Sequence, residues 1–437
     1  MKILRYLLSL TLVAMLFTQC QKNDVLDPLS DDLMLKHGSK NDGPPKGTFT
    51  VTIKNVSKPY DYFAAGGKFI PDGATAAGPA FPGQSFTISF HAGKGHKLSF
   101  ATMYGASNDL FYGPGDEGIQ LFNGDMPLTG DITSMISLWD AGTEVNHAPA
   151  SGEQGDNEHV PVKSVRNTDN VMDGFMYNTV EENIQVLLAY DGTSKFTLTI
   201  KNLPSSSTPL SPVAWVVHND MQKPIFEEGS PDYGKGLEML AETGNAEPLR
   251  DYLARRSGYV SPIAPGVWVV HKKGFKPIFK NGKADYGKGL EMLAEMGDPS
   301  TLAASLMAEG YTSGVYNTPD GATSPAPIFP GESYSFTVDA KAGEYLSFAS
   351  MLGKSNDLFF APDDMGIRLY NGRESKRGNV TWEVKLWDAG TEPNEYPGAG
   401  IHQGPGGTDE NGKVMIVHDR FRYPDVYRMI RVSITRN

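Results

Sequence analysis

The sequence predicts a mostly-β protein of two tandem antiparallel β-sandwiches, the second carrying a duplicated strand–helix insertion. Three observations predict it. Residues 99–124 (SFATMYGASNDLFYGPGDEGIQLFNG) return in register, without a gap, as 347–372 (SFASMLGKSNDLFFAPDDMGIRLYNG). The same register carries 72–86 onto 320–334 and LWDAGTEVN (138–146) onto LWDAGTEPN (386–394), so the two regions share a fold. Between the repeats, short stretches alternate Thr or Ser with apolar residues at strand periodicity, and 48 Gly and 30 Pro punctuate them with turns.

The chain opens with Lys2 and Arg5 ahead of an apolar run, 7–17, that falls short of the roughly 20 residues a membrane-crossing helix needs. Thr18, Gln19 and Cys20 follow, and Cys20 is the sole cysteine. The arrangement is similar to a bacterial lipoprotein signal, with Cys20 as the lipidated residue, although Gln19 and Phe17 depart from the usual Gly or Ala and Leu. Ordinary signal cleavage is the alternative; it leaves the single cysteine at the lipidation position unexplained. Residues 1–20 are thus expected to be a lipoprotein signal peptide, and the polar stretch 21–47 a flexible tether.

The first sandwich is expected over 48–191. It opens on TFTVTIKNVSK (48–58), continues through FTISF, KLSFATMY and SMISLW, and closes on IQVLLAYDG. The second is expected over 194–437, opening on FTLTIKNL (196–203) and closing on MIRVSITRN. Its insertion, about 211–310, is itself doubled: KPIFEEGSPDYGKGLEMLAE (223–242) matches KPIFKNGKADYGKGLEMLAE (276–295). Each half supplies a strand (AWVVH, VWVVH) and helices. Leu237, Met239 and Leu240 start one helix, and Asn245 caps the next. Asp298 is a cap with Pro299 at the first helical position, and Leu302, Leu306 and Met307 are expected on one face. The helices are expected to pack onto the sandwich or onto each other.

WVVH, PIF, GLEMLAE, S-N-D-L-F and D-A-G-T-E, in that order, resemble the spondin N-terminal domain family. The resemblance covers nearly all of 196–437, and 48–191 in a shorter form. It implies a C2-like β-sandwich. The better-known members are extracellular matrix and adhesion proteins with a bound calcium ion, and bacterial relatives are exported. The resemblance also implies metal ligands: Asp109, Asp140 and Glu144 in the first copy, and Asp357, Asp388 and Glu392 in the second, with one Ca2+ per domain. Glu144 and Glu392 stand where animal members tend to have Asp.

The chemistry is reasonable without the family. Ca2+ takes six to eight oxygens, several from carboxylates, whereas Mg2+ demands stricter octahedral geometry. Gly142 and Gly390 permit a tight loop that turns its first and fifth side chains to one side. Aspartates in such loops also cap turns, but a turn has no need of a carboxylate at Glu144 or Glu392.

A net charge of −12 argues against a nucleic-acid partner. GSPDYGKG (229–236) and GKADYGKG (282–289) imitate a phosphate loop, but Gly236 and Gly289 replace the Mg2+-binding Ser or Thr, so no nucleotide is expected. His218 and His271 end equivalent strands and read as structural. Trp139 and Trp387 read as core, and the Glu227/Glu228 pair has no cleft assigned to it. Asn55-Val-Ser and Asn379-Val-Thr are glycosylation patterns in or near strands. The expectation is an exported, lipid-anchored, non-catalytic calcium-binding protein of the bacterial envelope. It would be outer-membrane, surface-exposed or facing the periplasm, touch the membrane only through its lipid, and bind an extracellular protein or glycan. Calcium-dependent carbohydrate binding, supported by an exposed Phe111 or Phe359, and an unrecognised extracellular hydrolase are the alternatives.

Overall fold

The computed structural model describes residues 44–151, 164–170, 173–403 and 407–437; the expected signal peptide with Cys20 and nearly all of the expected tether lie outside them. The described chain is mostly β, in two sheet-rich modules.

The first strand, β1 (Lys46–Asn55), belongs to module two; module one contains β2 (Ala64–Lys68), β3 (Ser85–His91), β4 (His96–Met103), β5 (Leu110–Gly113), β6 (Ser137–Asp140), β7 (Arg166–Asn167), β8 (Ile184–Tyr190), β9 (Lys195–Asn202) and β10 (Val213–Asn219), followed by helices α1 (Leu237–Thr243) and α2 (Glu247–Arg255). Module two contains β11 (Ile263–Lys272), α3 (Leu290–Met296), α4 (Ser300–Ala308), β12 (Thr312–Tyr316), β13 (Ser333–Lys341), β14 (Glu344–Leu352), β15 (Leu358–Pro362), β16 (Val384–Asp388), β17 (Met415–Ile416) and β18 (Ile430–Arg436). In each module a small sheet faces a larger one. Module one pairs β3-β9-β8 against β7-β6-β5-β4-β10-β2; module two pairs β13-β1-β18 against β17-β16-β15-β14-β11-β12.

Alternation explains the layers. In β4, Leu98 and Phe100 join Phe86, Ile88, Val186, Phe196 and Leu198 in the core between the sheets. On the opposite face of the larger sheet, Ala101, Met103, Phe111 and Trp139 pack against Leu237, Leu240, Leu249 and Leu253 of α1 and α2. Module two repeats this, with Val267, Val269, Phe359 and Trp387 under Leu290, Leu293, Leu302 and Leu306 of α3 and α4. A sheet buried on both faces needs apolar residues at consecutive positions, which is why its strands read as near-continuous apolar runs.

The sheets do not divide where the repeats suggested. β1, taken from its sequence as the opening strand of the first sandwich, is the middle strand of module two's small sheet, where Val51 pairs with Phe336 and Ile434. The matching place in module one is filled by β9, paired with β3 and β8. The expected boundary at 191–194 is therefore a hairpin turn, closed by the backbone amides of Thr193, Ser194 and Lys195 donating to Asp191 Oδ1. The expected insertion is likewise shared: β10, α1 and α2 complete module one, and β11, α3 and α4 complete module two. Module one is continuous, roughly 59–258, and sits inside module two between β1 and β11. Insertion is possible because module one's ends meet: Asp61 and Tyr62 donate to Arg256 O, and Gly258 donates to Tyr62 O. Asn55 clamps the crossing, its Nδ2 donating to Ser261 O at 3.0 Å and Ile328 O at 3.1 Å. It is fully buried.

The helix ends follow local chemistry. Glu247 N donates to Asn245 Oδ1 and Ser300 N to Asp298 Oδ1, but both acceptors lie one residue ahead of the N-caps, Ala246 and Pro299, so the expected cap positions are shifted by one and Pro299 precedes α4 rather than opening it. Met307 departs from its expected face: it is 60 % exposed, while Leu302 and Leu306 are buried. Gly236 and Gly289 have φ of +103°, and a Cβ on either would lie 2.5 Å from the backbone nitrogen of the next helix (Leu249 or Leu302). Close approach of two helices, with a left-handed backbone, requires glycine at both positions.

Candidate functional site

The two acidic motifs of each module meet at one end of its larger sheet. Asp109 immediately precedes β5, in a turn tied by Leu110 N donating to Ser107 Oγ and Ser107 Oγ donating to Tyr104 O. Asp140 is the last residue of β6, opposite Leu110. Ser355 ties the corresponding turn in module two, and Asp388 ends β16 opposite Leu358.

The D-A-G-T-E loop wraps onto the S-N-D aspartate through its backbone. Asp109 Oδ2 accepts from Thr143 N (2.8 Å) and Glu144 N (3.0 Å), and Asp357 Oδ2 accepts from Thr391 N (2.8 Å) and Glu392 N (3.2 Å). Asp140 Oδ1 and Asp388 Oδ1 accept from Gly142 N and Gly390 N at 2.6 and 2.7 Å. Gly390 has φ of +69° and lies against Lys413 N, so the tight loop does require it.

Among the six residues named from sequence, the carboxylates of Asp109 and Asp140 are neighbours, as are those of Asp357 and Asp388, which are within hydrogen-bonding reach of each other. Glu144 and Glu392 join through their amides, and the Glu392 carboxyl lies beside Asn356, Gly407 and Glu295. A third aspartate was missed in each module. Asp173 and Asp419 act with the pair on Tyr177 and Tyr423, whose hydroxyls are held protonated first by burial and then by these acids. The signal was present: D-G-F-M-Y (173–177) and D-R-F-R-Y (419–423) share Asp, Phe and Tyr at the same spacing.

Burial, with the adjacent aspartate second, pushes Asp109 and Asp357 up to about 7. Burial likewise raises Asp388 and Asp419, and burial followed by Glu295 pushes Glu392 up to about 7. Asp109 and Asp357 are fully buried, and the second oxygen of each, Oδ1, accepts no hydrogen bond. Asp419 Oδ2 and Asn394 Oδ1 are also buried without a donor. Buried acceptors in this state are costly unless a cation or donor meets them. The donor set, carboxylates with an amide oxygen, suits a hard ion. Among the described residues no three acidic, histidine or cysteine side chains are yet gathered closely enough to enclose one, so closure on an ion requires side-chain movement.

The remaining candidates are structural. His218 Nε2 pairs with Ser99 Oγ and Nδ1 with Asn219 O; His271 pairs with Ser347 Oγ and Lys272 O. Trp139 and Trp387 are buried and donate to Gly113 O and Ala361 O. Glu227 is engaged by Lys223. Phe111 and Phe359 are fully buried, so neither offers a sugar an exposed ring beside the acidic loops. No protein-family model matches the chain, and no curated protein matches it.

Proposed function

We propose that this is an exported, non-catalytic binding protein of the bacterial envelope, anchored through Cys20, whose acidic loops bind Ca2+. The observation that supports the reading most directly is Asp357: fully buried, one carboxylate oxygen without a donor, and a second aspartate, Asp388, against it. In module two Asp357, Asp388 and Asp419 would hold the ion, with Asn394 Oδ1 as a neutral oxygen. Bound Ca2+ would supply the positive charge these groups lack and tie together three loops that lie far apart in sequence. The loops so ordered would form the binding surface, for an extracellular protein or glycan. The resemblance to spondin domains points to adhesion; fold alone does not assign it.

The test is thermal unfolding of the chain after EDTA treatment and again with added Ca2+. A higher midpoint with Ca2+, lost in an Asp109→Ala/Asp357→Ala double variant, is expected. No shift, together with no metal by elemental analysis, overturns the cation reading.

A further inference from the structure

The two acidic sites occupy equivalent places in the fold and share the buried first aspartate, Asp109 or Asp357, with one oxygen lacking a donor, yet their surroundings differ at the second and third aspartates. In module one the residue paired across the ladder from Asp140 is Arg166. Its guanidinium donates to Asp140 Oδ2 from Nε at 3.2 Å and from Nη2 at 2.9 Å. In module two the residue at the same rung, paired with Asp388, is Met415. Asp388 Oδ2 accepts from Asn394 Nδ2 at 2.6 Å, and no guanidinium is bonded to it among the described residues.

The third aspartates differ in the same sense. Asp173 is saturated: Oδ1 accepts from Phe175 N, and Oδ2 accepts from Tyr177 Oη at 2.6 Å and from Asn146 Nδ2 at 3.0 Å. That Asn146 amide also donates to Asp140 Oδ2 and so bridges the two acids. Asp419 keeps only the first of these bonds, from Phe421 N, and its Oδ2 is buried without a donor. Tyr423 has turned away to Glu395 O, and Asn394 bonds Asp388 alone with its own Oδ1 unsatisfied. Arg420, beside Asp419 in sequence, stacks over Phe421 at 5.0 Å and favours the Asp419 carboxylate through its charge, without a hydrogen bond to it among those observed.

We infer that module two alone takes up a divalent cation, with Asp419 as a ligand beside Asp357 and Asp388, and that in module one the Arg166 guanidinium stands in the ion's place. This rests on the cation reading above and narrows it from two ions to one. A guanidinium is permanently charged and presents a planar fork of donors, so it neutralises a buried carboxylate without an exchangeable ligand. Module one is thereby assembled at any Ca2+ concentration, and the calcium response belongs to module two.

Titration calorimetry of the EDTA-stripped full chain with Ca2+ tests this. One site per chain is expected. Met415→Arg, at a position 45 % exposed and tolerant of a long side chain, abolishes that site while the near-UV spectrum is retained. Arg166→Met adds a second site, and Asp419→Asn weakens the first by about tenfold or more. Two sites in the unmodified chain overturn the inference but leave the cation reading standing; no site at all overturns both. Full binding by Met415→Arg, or no added site in Arg166→Met, overturns the exchange of metal for guanidinium. Unchanged affinity in Asp419→Asn removes that ligand.

Discussion

Val51, near the start of the described chain, pairs across a sheet with Ile434, three residues from its end. Module two is closed by this contact, and the whole of module one lies between its two partners.

Removing β1 should therefore unfold the module that is distant in sequence. Ile53 is fully buried, and Ile53→Ala is expected to cost about 2–5 kcal/mol, all of it in module two. Residues 59–258 expressed alone should fold, whereas 259–437 should fold only when a peptide of 46–55 is supplied. Circular dichroism and limited proteolysis of the three samples decide it; a stably folded 259–437 without the peptide contradicts the exchange.

Asp357→Asn should reverse sign with calcium. Without metal at pH 8, the variant loses a buried negative charge beside Asp388 and is expected to melt higher than the parent. With Ca2+ the parent rises and the variant does not, so the order of midpoints inverts. Parallel curves in both conditions would remove Asp357 from the site.

His218 makes stability pH-dependent. Burial lowers it from 6.5 to about 4 in the folded chain, so unfolding takes up a proton at mildly acid pH. Stability from this group is complete above about 6.5 and lost as pH falls toward 4, on the order of 3 kcal/mol in all. In urea unfolding, the advantage of the parent over His218→Gln should shrink from pH 7.5 to pH 5. An advantage independent of pH would mean that the histidine is not held neutral.

Gly289→Ala tests the turn that imitates a phosphate loop. The left-handed backbone costs an alanine about 1–2 kcal/mol, and its Cβ would lie 2.5 Å from Leu302 N, so the total loss should exceed that figure. Denaturant unfolding measures it; a neutral substitution would mean that α3 and α4 part without penalty.

The residue types of the acidic loops were legible in the sequence. S-N-D-L-F and D-A-G-T-E recur as units, and the glycine of the tight loop, read as permitting an unusual backbone, is left-handed at Gly390; that Ser107 and Ser355 tie the preceding turns came from the structure. The place of Glu144 and Glu392 was not legible, because a motif does not say whether a residue contributes its amide or its carboxylate. Asp173 and Asp419 were legible in principle through D-x-F-x-Y, but that repeat is short and its loops differ in length from the rest.

The sequence by itself determined the β class, the two copies and the residue types carried by the acidic loops, because alternation, turn chemistry and repetition act locally; that the two loops meet was decided by the fold. Only the tertiary structure decided which copy each strand completes. β1 and β9 carry nearly the same pattern, KGTFTVTIKN and KFTLTIKN, and either suits the middle of either small sheet. The four-residue turn after β8 holds β9 in module one, which leaves β1 the vacant place in module two. The tertiary structure also decided that Arg166 faces Asp140 while Met415 faces Asp388, since cross-strand partners far apart in sequence are set by ladder register.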